Sequence, residues 1–233
     1  MKKLGLGIAV ALSLSACASM NNGSVNPNSP NQMVTQYPVE TAFLNIYTKE
    51  RSQTLEAVVN NQTASAQIQV TPKGNMVFDN KQVQGSEIKT TNKINNQIAN
   101  QSAAINYFTL NPLVFYGFTD SSGKYSLSNQ TTTIPKRASV GDSSPLITEN
   151  VYSDRSMRNK VGTYQQDWSL TQDSNNTAWL CINTSKNLLL ANAAEGSTSE
   201  CYKINPQGDI LASKTSISYP TKSGVKTVNF VSR

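Results

Sequence analysis

Cysteine is the residue type in this chain with the most distinctive covalent chemistry, and histidine, its usual catalytic partner, is absent. The 233 residues include three cysteines: Cys17 near the N-terminus, and Cys181 and Cys201 in the C-terminal third. Without an imidazole the chain cannot build Ser-His-Asp or Cys-His arrangements, and the usual zinc sites lose a preferred ligand. The cysteines therefore indicate modification and crosslinking rather than nucleophilic catalysis.

Cys17 follows a leader with a positive start, an apolar stretch of about eleven residues up to Leu14, and then Ser15-Ala16. The apolar stretch is too short to span a bilayer as a helix. The motif resembles the bacterial lipobox, which implies cleavage before Cys17 and acylation of its thiol and amine; an ordinary secretory leader is the alternative. We predict that residues 1–16 are a lipoprotein signal peptide and that Cys17 is lipidated. Ala18, where an Asp would indicate inner-membrane retention, favours the outer membrane.

Cys181 and Cys201 remain as an even pair once Cys17 is acylated. An even pair in an exported chain is most simply a disulfide. A metal site lacks partners, since the chain has no histidine and no CxxC, and a nucleophilic thiol lacks an activating imidazole. We therefore predict a Cys181–Cys201 disulfide.

The acidic residues are scattered, and Glu149, Asp154 and Asp167 are the least implausible set for a glycosidase, which needs two facing carboxylates. Acidic residues spread through loops mostly serve solvation. There is also no GxxxxGK[ST] phosphate loop, no GxGxxG and no SxxK. We expect a non-enzymatic protein with no catalytic residues, no cofactor and no metal.

The net charge of +6 includes Lys2 and Lys3 of the leader, so the mature chain keeps 18 basic against 14 acidic side chains, or +4. Its densest basic group is Arg155, Arg158 and Lys160, which is either a solvated turn or a contact for an anionic surface. An exported chain without a basic stripe carrying aromatic residues is a poor nucleic-acid binder. The expected partners are the membrane, through the anchor, and another envelope protein.

The pattern of the remaining residues predicts a mainly β fold: antiparallel meander sheets with one short N-terminal helix. Residues 17–37 are rich in Asn and Pro and read as a flexible tether, and residues 38–233 as the β-rich domain. In Pro38–Glu50, the residues Val39, Phe43, Ile46 and Tyr47 share one helical face. Later segments alternate with period two, which is typical of strands. Examples are Ala66, Ile68 and Val70, then Tyr164, Trp168 and Leu170, then Ala178, Leu180 and Ile182.

Four segments suggest interruptions. A turn is expected at Pro72-Lys73-Gly74-Asn75 and another at Asn205-Pro206-Gln207-Gly208, and their likeness suggests either duplication or convergent turn chemistry. Residues 131–147, with Pro135, Gly141 and Pro145, either separate two sub-domains or cross one sheet. Asp120-Ser121-Ser122-Gly123 reads as a hairpin turn rather than a calcium loop.

Several phrases of the chain resemble, in the same order, a group of uncharacterised proteobacterial lipoproteins. They are Tyr107–Pro112, Asn150–Asp154, Thr177–Asn183 and Glu200–Ile204. The resemblance implies a secreted β-rich domain with paired cysteines, and it supplies no activity.

Two functions of different class follow from these features. The first is a lipid-anchored, non-enzymatic binding or interaction module of the cell envelope. The second is a carrier whose curved sheet encloses an apolar ligand such as an acyl chain. For the carrier, Trp168, Trp179, Phe115 and Phe118 are the candidate cavity-lining residues, and the alternative is that they simply form the core.

Overall fold

The computed structural model describes residues 33–185 and 196–232, and in it twelve antiparallel strands close into a barrel. The elements are β1 (Gln36–Tyr37), α1 (Val39–Thr48), β2 (Arg51–Val59), β3 (Gln62–Phe78), β4 (Lys81–Ile94), β5 (Gln97–Leu110), β6 (Leu113–Asp120), β7 (Tyr125–Asn129), β8 (Ala138–Ser139), β9 (Ser143–Tyr152), β10 (Lys160–Ser174), β11 (Thr177–Ser185), β12 (Ser197–Ile204), β13 (Ile210–Thr221) and β14 (Gly224–Ser232). The prediction of a mainly β fold with one short helix is confirmed.

The barrel follows the chain almost strand by strand, in the order β10-β11-β12-β13-β14-β2-β3-β4-β5-β6-β7-β9. The ring closes where the last strand, β14, pairs with the first barrel strand, β2, at Val231 opposite Glu56 and Ser232 opposite Leu55. β1 and β8 pair separately. The 131–147 segment therefore contains β8 and the start of β9, and β9 pairs with β7 within the barrel.

The helix lies inside one end of the barrel. It spans Val39–Thr48, within two residues of the predicted Pro38–Glu50, and it buries Val39, Phe43 and Ile46. These side chains share one apolar cluster with residues of β5, β6 and β9 to β12, among them Phe108, Phe115, Leu146, Trp168, Leu180 and Ile204. Because β5 and β11 lie on opposite sides of the ring, the helix must sit between them. We call this the closed end.

Residues 33–37, which the sequence assigns to the tether, contact the barrel at this closed end. The Val34 amide donates to the Asn175 carbonyl (2.7 Å), and the Val140 amide donates to the Thr35 carbonyl (2.8 Å). Tyr37 is fully buried. The chain therefore reaches the barrel beside the helix, at the end that the helix closes.

Three hairpins turn through residue pairs with left-handed backbone: Asn60-Asn61, Asp79-Asn80 and Asn95-Asn96. Positive φ at both central residues is the feature of type I′ turns, and Asn and Asp tolerate it better than other non-glycine residues. The first and third of these turns lie at the far end of the barrel, opposite the helix.

The predicted break at Pro72-Lys73-Gly74-Asn75 is wrong, because β3 continues through it to Phe78. A register shift between Pro72 and Gly74 forms a bulge that accommodates the proline without ending the strand. Beyond the bulge the hairpin folds over the outer wall, where Phe78 stacks on Tyr107 (4.1 Å between ring centroids) and on Tyr125 (5.0 Å).

The later segment, Asn205-Pro206-Gln207-Gly208, is a turn as predicted, closed by a bond from the Gly208 amide to the Asn205 carbonyl (2.9 Å). The two similar segments therefore have different local structures, one a strand bulge and the other a turn. Within the described residues, no helix is long and apolar enough to cross a bilayer.

Candidate ligand site in the barrel interior

Inward-facing residues in the half of the barrel away from the helix are only half-buried. Successive side chains of a strand point to opposite faces of the sheet, and directly paired residues of neighbouring strands point to the same face. Ala66 pairs with the buried Leu55, and Ile88 pairs with the buried Val70, so both point into the barrel. The inward apolar residues that stay half-exposed are Val59, Ala64, Ala66, Ile68, Ile88, Ala104, Ile217, Val228 and Phe230. A filled core would bury them. Water therefore reaches this space, which we call the lumen.

A polar layer, which we call the floor, lies between the helix and the lumen. It consists of Tyr47, Arg51, Glu149, Tyr164, Glu200 and Tyr202. Tyr47 comes from the last turn of the helix, Arg51 begins β2, and the other four face inward from β9, β10 and β12. Only closure of the ring brings these six residues together.

Arg51 supports the end of the helix. Its Nη1 donates to the Asn45 carbonyl (3.5 Å) and to the Ile46 carbonyl. The Ile46 carbonyl is among those that a helix C-terminus leaves without backbone partners, whereas the Asn45 carbonyl also accepts from the Lys49 amide (3.4 Å). A cation is favourable at this end of a helix. The guanidinium also lies over the Tyr202 ring, 5.4 Å from its centroid. Its Nε is buried without a hydrogen-bond partner.

Glu149 is a buried carboxylate held by two serines. It is 1% exposed and accepts hydrogen bonds from the hydroxyls of Ser126 and Ser128 on the neighbouring strand β7. Burial raises the pKa of Glu149 above its ordinary value, and the two serine bonds offset part of that rise. This carboxyl group is therefore biased towards its neutral form.

Glu200 also faces inward, but water reaches it. It lies on the same face of β12 as the buried Tyr202, opposite Thr215 of β13. Its side chain is exposed to solvent although protein surrounds it. Both observations hold because Glu200 borders the lumen rather than the outer surface. Burial raises its pKa, while a bond from the Tyr202 hydroxyl (3.4 Å) and the charge of Arg51 lower it.

Tyr47 and Tyr164 are close enough to both carboxylates for the charge of each to act on the phenols. Burial raises the pKa of each phenol, and the negative charges of Glu149 and Glu200 raise it further. Among the described residues, neither hydroxyl has a hydrogen-bond partner. Both phenols therefore stay neutral and keep their capacity to donate and accept a hydrogen bond.

These tyrosines border a small cavity of about 50 Å³ beside Glu149. Polar and apolar groups share its lining, which includes Tyr47, Asn106, Phe115, Phe118, Ser128, Ile147, Glu149 and Tyr164. A single water needs roughly 10–15 Å³ of such space, so the cavity has room for a few waters or a small polar group.

The four aromatic residues predicted as cavity lining have three different locations. Phe115 and Phe118 do border the cavity, whereas Trp168 packs in the core around the helix. For Trp179 the prediction is wrong. It faces outward, where its Nε1 donates to Asp173 (2.8 Å), because it alternates with the inward residues of β11.

The three acidic residues considered for a glycosidase are not brought together. Glu149 is inside the barrel, and Asp154 lies in an exposed turn where it accepts from the Ser156 amide (2.7 Å). Asp167 faces outward and accepts from Asn183 (2.9 Å). The interior carboxylate that sequence reasoning missed is Glu200; its place two residues before Tyr202 and four before Ile204 is the period-two signal that identifies it as inward.

The Cys181–Cys201 disulfide is present and joins directly paired residues of β11 and β12 on the outer face. Cys17 lies outside the described residues. Arg155 and Arg158 are exposed in the segment between β9 and β10, and Lys160 is exposed at the start of β10. In the described part of the chain, no group of three metal-ligating side chains could hold an ion.

No protein-family model, curated protein or solved structure matches this chain. The similarity to proteobacterial lipoproteins therefore stays a prediction, and a function has to be argued from the barrel itself.

Proposed function

We propose that this chain is a non-enzymatic binding lipoprotein of the cell envelope that holds a small, partly apolar ligand in the lumen of its barrel. The observation that carries the proposal is the half-exposure of inward apolar residues such as Ala66, Ile68 and Phe230. Of the two functions that the sequence leaves open, the lumen favours the carrier.

The energetics of the barrel support this choice. Apolar side chains that face water without a partner forgo about 25 cal/mol of stabilisation per Å². A twelve-stranded ring is wider than the eight-stranded barrels whose interiors side chains just fill. The helix fills one end of this wider ring, and in the other half the wall carries half-buried apolar residues alongside inward polar ones such as Thr90 and Thr215, above a polar floor. An amphipathic ligand would cover that wall and bond to that floor.

The proposed location is the outer membrane, reached through a lipid on Cys17 after removal of residues 1–16. Two or three acyl chains would make the attachment effectively permanent. Residues 33–37 meet the barrel at its closed end. The lumen lies in the other half of the barrel from these residues.

A second candidate is an interaction module that uses the outer face of β10 to β13. Trp179 lies there between the ammonium groups of Lys203 (5.1 Å from the ring centroid) and Lys214 (4.2 Å). Aromatic residues are enriched in protein interfaces. This surface would mediate docking without a lumen ligand.

The test uses the chain from residue 17 onward with Cys17→Ser, so that no attached lipid competes for the lumen. An uncharged fluorescent long-chain alcohol is titrated into the protein, and the carrier proposal expects saturable uptake with one site per chain. No uptake at high micromolar concentration would contradict it and leave the outer-face module as the remaining candidate.

A further inference from the structure

We propose that the polar end of the ligand is a protonated amine, and that Glu200 is its ion-pair partner at the floor of the lumen. This inference rests on the proposed function, since it names the class of molecule that the lumen takes: an apolar chain or ring system bearing an ammonium group. It is carried by the unused bonding capacity of the floor residues.

Glu200 has most of its acceptor capacity free. Among the described residues, its one hydrogen bond comes from Tyr202 (3.4 Å), and it forms no ion pair within 4 Å. A carboxylate has about four lone-pair sites. Because water reaches this side chain from the lumen, a ligand can reach it by the same path.

The nearest cation does not occupy that capacity. Arg51 directs Nη1 to the carbonyls of Asn45 and Ile46, and its guanidinium packs over the Tyr202 ring. It therefore stabilises the helix end and the ring rather than forming an ion pair with Glu200. The floor carries two carboxyl groups, Glu149 and Glu200, for one guanidinium, whose Nη1 bonds to the helix and whose Nε is buried.

The tyrosines add a second attraction for an ammonium group. Tyr164 is 5% exposed, borders the cavity, and has no hydrogen-bond partner for its hydroxyl in the described part of the chain. Tyr47 borders the same cavity with its hydroxyl likewise unpartnered. Aromatic rings and hydroxyl oxygens around a carboxylate form the kind of cage that binds ammonium groups.

An anionic head group is the opposite case. A carboxylate at the floor would meet Glu200 at close range, while Nη1 of Arg51 is directed at the helix carbonyls and its Nε is buried. The inward cation elsewhere in the lumen, Lys226, donates to Asn60 (2.9 Å) at the far end, so it would hold an anion away from the floor. The floor therefore selects for positive charge.

The experiment compares three ligands with the same twelve-carbon chain: dodecylammonium, dodecanol and dodecanoate. Each is titrated calorimetrically at pH 7.5, below micelle formation, into the residue-17 chain with Cys17→Ser. We expect dodecylammonium to bind about tenfold or more tightly than either of the others. Glu200→Gln should remove that preference and leave dodecanol binding within about twofold.

Glu87→Gln is the matched control, because Glu87 is an outer-face carboxylate paired with Lys73 (2.8 Å). It should leave all three affinities unchanged. Equal binding of the three ligands, or a preference for dodecanoate, would overturn the amine inference while the lumen proposal stands. A preference for dodecylammonium that survives in Glu200→Gln would also overturn it. Binding of none of the three would overturn the proposed function itself.

Discussion

Glu149 and Glu200 are two carboxyl groups in one barrel, and their surroundings give them different properties. Glu149 is fully buried and accepts two serine hydrogen bonds, so its bonding needs are met within the protein. Glu200 has one long bond from Tyr202 and an open path to water. The first is therefore suited to holding β7 against β9, and the second to meeting a ligand.

The raised pKa of Glu149 predicts a pH dependence of stability. The folded state keeps the proton to a higher pH than the unfolded chain, whose value is near 4.5. The contribution is therefore complete below that value and is lost as pH rises through the raised folded pKa. We expect the free energy of unfolding of Glu149→Gln to fall less than that of the parent chain between pH 4.5 and 8, measured by urea denaturation.

Glu87→Gln provides a control of opposite sign. Lys73 and Lys89 lower the pKa of Glu87, so its contribution is present above the ordinary value and is lost on acidification. Its substitution should change the acid side of the profile and leave the neutral side alone. Parallel profiles for the parent chain and Glu149→Gln would contradict the assignment of Glu149.

The disulfide gives a second prediction at this scale. Cys181 and Cys201 close a loop with a sequence separation of 20. The chain-entropy description assigns such a loop roughly 3 kcal/mol of stabilisation. The double variant Cys181→Ser/Cys201→Ser should lose about that much in urea denaturation, with the barrel still folded by circular dichroism.

The neighbouring outward pair Asn183 and Ser199, whose side chains are joined by a hydrogen bond (2.7 Å) and by no covalent link, supplies the comparison; the Ser199 hydroxyl also lies 3.4 Å from Cys201 Sγ. Ser199→Ala should cost no more than about 1 kcal/mol. If the cysteine variant loses no more than Ser199→Ala, loop closure does not contribute as described.

Among the elements, the helix was the most predictable and its location the least. The spacing of Val39, Phe43 and Ile46 gives a helix with one apolar face, because a period of 3.6 brings those positions together. The same spacing suits a helix packed on the outside of a sheet. Insertion into the barrel depends on residues from six strands, which no local pattern contains.

The hairpin turns and the β3 bulge show the limits of reading local residues. Asn60-Asn61 and Asn95-Asn96 carried a recognisable signal, since Asn tolerates positive φ. At Pro72 the signal misled, because proline usually ends a strand and a bulge is the exception. Whether Pro72 ends the strand or forms a bulge depends on how β3 pairs with β4, and the residues around Pro72 do not specify that pairing.

Gly117 of β6 marks a close approach between elements. Its φ is +145°, and an added Cβ would lie 2.1 Å from the Ser126 carbonyl oxygen of β7. Gly117→Ala should therefore force β6 and β7 apart and move Ser126 away from Glu149. We expect a loss of about 3 kcal/mol or more in the free energy of unfolding, by urea denaturation.

Gly74→Ala is the matched control. Gly74 also has positive φ (+70°), but an added Cβ there meets nothing within 4 Å. The backbone strain alone should cost about 1 kcal/mol. Equal losses for the two variants would show that the approach of β6 to β7 is not what requires glycine at position 117.

At the scale of the whole molecule, the sequence predicted antiparallel strands but neither their number nor closure of the ring. Alternation identifies which residues share a face, but whether a sheet closes depends on pairing between its first and last strands. Here that pairing rests on Leu55 and Glu56 meeting Val231 and Ser232. The floor was unpredictable for the same reason, since Arg51 and Glu200 become neighbours only in a closed ring.

The lumen makes a final prediction about where bulk is tolerated. Ala66 faces inward and is half-buried, whereas the next residue, Gln67, faces outward and is exposed. Ala66→Trp should fill part of the lumen and weaken dodecylammonium binding about tenfold or more. In an open lumen the added ring meets space rather than packed atoms, so stability should fall by less than about 1 kcal/mol.

Gln67→Trp places the same side chain one position along β3 on the outer wall, and it should leave ligand affinity unchanged. A large loss of stability in Ala66→Trp would mean that the interior is packed and would contradict the lumen. Loss of binding in Gln67→Trp instead would locate the ligand on the outer face. The two adjacent substitutions thus test the two sides of a single strand separately. The carrier binds its ligand on the inner side, whereas the interaction module uses the outer side of the barrel.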